Sequence, residues 1–460
     1  MKKTLGLIAM MALLISSATN AAEIIIQPTD ENGAIIEETA PTYDVDNFTL
    51  DDAIALALYQ NKSIKSADIA FDKANTVVGQ ARAAMGTKLN FNGTQTRLGY
   101  NTVMAATGME VTKKDNQSLM FELSQPLYIG NKDKAAVKSA RLGRDIASST
   151  KVLTRQNIIM GASMNYYSWL FARAVAHVGQ EDLNLAQAHY DLVKKNYEAE
   201  QTSKYELLRA EVRLSESKSE FIDRQNKARL AKLELLKFLS LPMDTNLETK
   251  EDLSIIEYEA DVEKDIITAL EEREDLKMKR KAQEIAKQAL VSAKGERQPT
   301  LAIFAKGGQE DPSSRYSGAF KRDETWTAGV SLQIPIIDAN LAKHKISEAN
   351  TQIENANNDY EDSLEQAKLE IQQEALSLHS SAEIVAAQKE NIKQAEETVR
   401  LAKVRYENGL FTQVDLFDAE NAWANTKLLY YKAVLGHHQA RLSYQLAIGK
   451  LGRELILKGQ

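Results

Sequence analysis

The chain has no cysteine in its 460 residues. That excludes disulfide frameworks, thiolate metal sites and a thioether-linked lipid at a processed N-terminus. Proline (7) and glycine (21) are sparse, so little interrupts long helices. Positive charge is also short, with 57 Lys+Arg against 64 Asp+Glu. That balance argues against nucleic acid as a partner, because phosphate backbones reward basic patches. No apolar run is long enough for a spanning helix. A short one lies at the start: Lys2 and Lys3 precede an apolar stretch from Leu5 to Ile15, and small or polar residues follow to Ala22. This is the pattern of a secretory signal peptide, with a cut after Ala18, Ala21 or Ala22.

What the chain does have is repetition. Tyr197-Glu198, Leu207, Ala210 and Glu211 recur as Tyr406-Glu407, Leu416, Ala419 and Glu420, every pair 209 residues apart. The same offset links Leu123 with Leu332, Pro126 with Pro335, Asn131 with Asn340, and Ala140 with Ala349. The chain is therefore one long unit written twice.

The clearest helix spans about 339–408. One stripe runs from Ala342 through Ile346, Ala349 and Ile353 to Val399, Ala402 and Tyr406, 18 steps over 64 residues. Its period lies between a supercoiling heptad and a straight helix. Such a rod is roughly 100 Å long and fits no compact domain. Its first copy spans about 132–200. Each rod ends in a short tip and returns as another helix, about 204–240 and 414–448. Gly409 supplies a C-cap and Thr412 a candidate N-cap at the second tip. Glu200 stands where that glycine would be in the first, which predicts different turn chemistry there. Shorter amphipathic helices span about 50–85 and 265–294.

Between helices the period switches to two. Leu119, Phe121, Leu123, Gln125 and Leu127 alternate with Ser118, Glu122 and Ser124. Trp326, Ala328, Val330, Leu332 and Ile334 alternate with Thr325, Thr327, Ser331 and Gln333. Weaker strands lie near 88–96 and 300–307, and polar loops at about 101–116 and 308–324 join each pair. Strands of this length and pattern suit an outer-membrane barrel or a half-buried soluble sheet. Four strands cannot close a membrane barrel, and an open sheet edge is not tolerated in lipid. Three copies would supply twelve strands, with the long helices continuing below as a second barrel.

The order of helix, strand pair, very long helix, tip and return helix, given twice, resembles the TolC family of outer-membrane export ducts. The motifs that carry it are Leu123-Ser124-Gln125-Pro126-Leu127-Tyr128 and Leu332-Gln333-Ile334-Pro335-Ile336-Ile337, together with the two tips. The resemblance covers about 49–452. It implies a mainly α fold with a small membrane β part: long antiparallel coiled-coil-like helices forming a tunnel, and four strands per chain in a trimeric 12-stranded barrel. It implies a homotrimer that docks with an inner-membrane transporter and a periplasmic adaptor protein. Carried over, Tyr197, Glu198, Thr202, Glu206, Tyr406, Gly409, Thr412 and Asp415 mark the periplasmic tips. Pro126 and Pro335 mark the barrel-to-helix transition. Leu119, Phe121, Leu123, Trp326, Val330 and Leu332 face outer-membrane lipid. The stretch from Glu396 to Lys403 does not match the acidic rings by which some relatives close their entrance.

The expected organisation is a signal peptide (1–22), an extended segment (23–48), repeat 1 (49–242), a linker (243–261), repeat 2 (262–452) and a tail (453–460). No cofactor, metal site or catalytic residue is expected. The six histidines lack the i, i+4 pairing of a helical zinc site, and His437-His438 reads as a helix-surface pair. A periplasmic coiled-coil adaptor or scaffold would explain the signal and the rods, but not the paired strands. A secreted enzyme would explain only the signal.

Overall fold

Two runs of residues build the same succession of elements, and the sequence shows why each begins and ends where it does. The structure, a computed structural model, describes residues 41, 43–99, 115–310 and 323–452. The expected signal peptide, the C-terminal tail, most of the 23–48 segment and most of both polar loops lie outside them. In repeat 1 the elements are α1 (Leu50–Gln60), α2 (Lys62–Ala83), β1 (Lys88–Arg97), β2 (Asp115–Ile129), α3 (Lys132–Glu198) and α4 (Lys204–Phe238). In repeat 2 they are α5 (Val262–Glu272), α6 (Glu274–Gly295), β3 (Thr300–Glu310), β4 (Asp323–Gln333), α7 (Leu341–Glu407) and α8 (Gln413–Ala447).

The offset between repeats is 212 residues for the first two helices and 209 for the rods and return helices. The difference falls between the two strands of each hairpin. Both rods therefore keep 67 residues and both return helices 35. All eight buried residues of α7, from Ala342 to Ala402, lie on the stripe read from the sequence.

Each short amphipathic helix expected near 50–85 and 265–294 is in fact two. Asn61 leaves helical geometry (ψ 128°), ends α1, and accepts from Ser63 N to start α2. Arg273, at the matching position (ψ 126°), instead places its guanidinium on Asp275, Glu370 and the Ala447 carbonyl oxygen. The apolar pattern runs across both breaks, so periodicity alone does not show them.

The strands form one antiparallel sheet in the order β1-β2-β3-β4. Phe91 pairs with Phe121, Leu89 with Leu123, Gly307 with Trp326, and Ile303 with Val330. Across β2 and β3, Phe121 meets Gly307 and Leu123 meets Ala305. Cross-strand partners share a face. One face thus carries Leu89, Phe91, Leu119, Phe121, Leu123, Ile303, Trp326, Val330 and Leu332. The opposite face carries Asn90, Asn92, Glu122, Lys306 and Thr327, with Lys306 bonded to Glu122.

The two prolines are not equivalent. β4 stops two residues before Pro335, whereas β2 passes Pro126 by way of a bulge between Pro126 and Tyr128 and continues to Ile129. The turns into the rods do match: Gly130-Asn131 and Ala339-Asn340 all have positive φ.

The main core lies midway along the rods. Phe48, Tyr166, Trp169, Leu236, Leu239 and Leu247 gather the N-terminal segment, the rod of repeat 1, its return helix and the linker. The Tyr166 hydroxyl sits 2.7 Å from Glu251 and 3.1 Å from the Phe48 carbonyl oxygen. His437 and His438 are fully buried rather than on the helix surface. Their Nε2 atoms lie 3.0 and 2.8 Å from the carbonyl oxygens of Ile256 and Ser254, and His438 stacks on Tyr167. They fasten the linker to α8.

At Gly130 (φ +73) a Cβ would stand 2.5 Å from the Gly295 carbonyl oxygen. Gly130→Ala should therefore lower thermal stability by more than the roughly 1–2 kcal/mol that left-handed backbone alone costs an L-residue. Gly143→Ala, in α3 with no atom within 4 Å of its Cβ, should raise stability by about 1 kcal/mol. Thermal melts followed by helical circular dichroism compare the two.

Candidate functional site at the helix tips

Each tip is a Schellman-type helix end followed at once by a new N-cap. In repeat 2, Gly409 (φ +72) follows α7, with Gly409 N donating to Tyr406 O at 2.9 Å and Leu410 N to Arg405 O at 2.8 Å. In repeat 1, Glu200 (φ +59) makes the same pair of bonds, Glu200 N to Tyr197 O and Gln201 N to Asn196 O. The turn chemistry differs only in the residue, and the backbone is the same. A Cβ at Gly409 would meet nothing within 4 Å, which is why a glutamate fits the equivalent place.

The N-caps also correspond. Thr412 and Asp415 form a capping box: Thr412 N and Oγ1 donate to the Asp415 carboxylate at 2.8 and 2.6 Å. These bonds hold the Asp415 carboxyl below its usual range. In repeat 1 the cap is Ser203, which accepts from Glu206 N, while Thr202 Oγ1 bonds the Glu206 side chain. The sequence reading named Thr202 and passed over Ser203, although Ser203 lies 209 residues before Thr412.

The two tips are joined. Gln413 Nε2 lies 3.1 Å from His189 Nε2 and 3.3 Å from the Glu206 carbonyl oxygen. The His189 ring is held between Tyr406 (5.1 Å) and Phe417 (5.0 Å). Burial pulls His189 down to about 4, so the imidazole is neutral. Burial, then the nearby Glu206, raises the Tyr406 hydroxyl. Tyr197, Tyr205 and Leu410 remain exposed beside them, while Glu198 ends α3.

Farther from the tips, a polar cluster lies where α3, α4 and α8 meet. Arg213 bonds Asp182 at 2.6 Å, with both side chains buried. Glu420 lies near them, 4% exposed. Burial pushes its carboxyl up to about 7, with Asp182 adding to the rise and Arg213 and Lys403 opposing it. Sequence reading met Glu420 only as the mate of Glu211, which is exposed. Nothing in the local sequence distinguishes the two. Among the described residues no group of His, Asp and Glu is arranged to hold a metal ion, and the cluster contains no nucleophile–base pair.

The family described as outer membrane efflux protein matches residues 53–240 and 266–450, one segment in each repeat. The chain belongs to that family. An outer membrane efflux protein is an exit channel of the Gram-negative outer membrane with a large periplasmic helical portion, and not an enzyme. Solved structures share the fold. The Campylobacter jejuni CmeC outer membrane channel is similar at 17% identity and TM-score 0.74, over 87% of this chain and 85% of that one. The Vibrio cholerae outer membrane protein VceC is similar at 20% identity and TM-score 0.72, over 87% and 96%. The open state of the Neisseria gonorrhoeae MtrE outer membrane channel is similar at 16% identity and TM-score 0.72, over 90% and 96%. No curated protein matches the chain.

The Glu420 carboxyl gives this efflux protein a pH signature. Its stabilising contribution is complete below the ordinary carboxyl value and is lost as pH rises through about 7. Glu420→Gln should therefore melt higher than the parent at pH 8, by the equivalent of up to about 3 kcal/mol. The gap should close near pH 4.5. Melts of parent and variant across this range measure the difference, which carries Glu420 together with its coupling to Asp182, Arg213 and Lys403.

Proposed function

We propose that this outer membrane efflux protein closes as a homotrimer. Its twelve strands form the outer-membrane pore, and its helical tips receive a periplasmic adaptor and an inner-membrane transporter. The observation that carries the reading is the register of the sheet: it collects most of the large apolar strand residues on one face, with Met120 and Phe304 on the other, and leaves β1 and β4 with open outer edges. Lipid cannot satisfy edge backbone groups, so strands from other copies must.

In this reading Leu119, Phe121, Leu123, Trp326, Val330 and Leu332 face lipid, and Glu122, Lys306 and Thr327 face the lumen. Trp326, 72% exposed, belongs to the interfacial aromatic belt. Pro126, at the β2 bulge, and Pro335, two residues past β4, mark where barrel gives way to helices. The repeats occupy about 49–242 and 262–452, joined by the 243–261 linker, after removal of a signal peptide. The exposed Tyr197, Tyr205 and Leu410, with the caps built on Thr202, Glu206, Gly409, Thr412 and Asp415, form the surface that meets the adaptor. The cargo leaves through a lumen lined mostly by polar side chains, together with Met120 and Phe304.

Mass measurement in detergent should give three chains per particle. Recovery of the mature protein in an osmotic-shock supernatant would overturn the proposal. Val330→Arg should cost about 2–4 kcal/mol at mid-bilayer depth and reduce assembled outer-membrane protein. Thr327→Arg, on the opposite face, should leave that level unchanged.

The tips yield a separate expectation. Gly409→Val imposes a β-branched residue on φ +72 without a steric clash. It should lower export of a dye cargo while surface-exposed trimer stays at parental level. Gly409→Glu, which copies repeat 1, should export normally. Unchanged export by Gly409→Val would remove the tip from the mechanism.

A further inference from the structure

Within the chain the long helices pack in the order α4, α3, α8, α7. Each hairpin holds its own pair, and α3 of repeat 1 meets α8 of repeat 2. The repeat equates α3 with α7 and α4 with α8. A rod-and-return pair of the same kind, α7 with α4, is thus left at the two flanks, where neither packs against the other.

What seats α8 on α3 is explicit. Lys427 reaches Glu181 at 2.9 Å across the two helices, above a cluster of Val178, Trp423 and Ala424. Moving both charged positions by 209 gives Lys218 on α4 and Glu390 on α7. The ion pair is written twice, but its second copy is split between the two flanking helices, and both residues are exposed. Apolar positions follow the same rule. Phe417 on α8 and Tyr167 on α3 are buried, while their equivalents, Leu208 on α4 and Leu376 on α7, are 49% and 70% exposed.

The sheet repeats this logic. β2 pairs with β3 inside the chain, while the equivalent β4 and β1 present open edges. The step that brings α4 of a neighbour onto α7 also brings β1 of the same neighbour onto β4. Such a head-to-tail contact closes a ring of identical subunits.

We infer that α4 of one copy docks on α7 of the next in the register that α8 takes on α3, setting Lys218 against the partner's Glu390. The inference rests on the homotrimer proposed above and adds its seam. The buried Asp182–Arg213 pair lies on α3 and α4 and so fixes one hairpin internally. Its equivalents, Asn391 and Ala422 on α7 and α8, lie within the other hairpin, so neither pair belongs to the seam between copies.

The absence of cysteine makes the test clean. Lys218→Cys with Glu390→Cys in one chain, treated in outer membranes with a short thiol-reactive linker, should give a covalent ladder ending at three chains. Glu181→Cys with Lys427→Cys should link with similar yield yet remain at single-chain mobility, which calibrates the reagent. Lys218→Cys with Glu397→Cys, about 10 Å farther along the rod, should link about ten-fold less, being beyond the spacing that short bridges tolerate. Three chains by mass with no 218–390 ladder, or a stronger 218–397 ladder, would overturn the register and leave the trimer standing. A single chain by mass would instead sink the trimer itself. Charge exchange provides a second readout where cysteine pairs assemble poorly. Lys218→Glu and Glu390→Lys should each weaken detergent-resistant trimer, and the double exchange should restore it. A double variant no better than the singles would overturn the pairing.

Discussion

An unpaired backbone amide or carbonyl has no hydrogen-bonding partner in hydrocarbon, and each one left there costs several kcal/mol. A four-stranded sheet has two rows of them. In the homotrimer proposed above, those rows are removed by meeting further copies of the same chain. The doubled sequence serves that end, because a contact made once inside the chain can be made again between chains without new chemistry. The lengths obey the same demand. The three-residue difference between repeats is confined to the strand hairpins, and the rods and return helices match residue for residue. Two rods that run between the same two levels cannot differ in length without tilting the ring.

Repetition of the backbone does not extend to every side chain. Glu200 and Gly409 share one conformation, and Ser203 and Thr412 share one capping role, yet the surroundings of the matching glutamates diverge. Glu420 is enclosed among α3, α4 and α8 near Asp182 and Arg213, while Glu211 is left in the open. Burying charge rarely adds stability over an apolar core. What the Asp182–Arg213 pair supplies is a penalty for any sliding of α4 on α3, since a shifted helix would leave a charge without its partner. The two halves of the chain are alike in path and unlike in how firmly they are fixed.

Much of this was legible beforehand, for identifiable reasons. The stripe from Ala342 to Tyr406 keeps its period because a rod packed on one side must bury one face throughout. The strand alternation was plain in β2 and β4 and weaker in β1 and β3, and pairing sets Leu123 beside Leu89 and Trp326 beside Gly307. The breaks at Asn61 and Arg273 were hidden because helical apolar spacing continues through both. Glu200 misled because side-chain identity is a poor guide where a left-handed residue projects into open space. His437 and His438 read as a surface pair because they lack the spacing of a metal site, whereas imidazoles whose Nε2 atoms meet the Ile256 and Ser254 carbonyl oxygens are satisfied inside. The interior cluster was invisible, since a buried glutamate and an exposed one read identically in one sequence.

Firmness along the rods is unequal. Near their midpoint Tyr166, Arg173 and His438 tie the rod of repeat 1 and α8 to the linker, with Arg173 Nη1 donating to Thr249 O at 2.5 Å and Arg441 to the Tyr167 hydroxyl at 3.0 Å. Beyond that clamp, toward the tips, the hairpins hold each other through the Lys427–Glu181 pair, a small apolar cluster and the His189–Gln413 contact. Opening free energy is lowest where buried contacts are fewest, so displacement of one hairpin against the other should begin at the tips and die out at the clamp. In the duct proposed above, the tips can therefore move while the strands keep their register, because the core around Tyr166 separates the two ends.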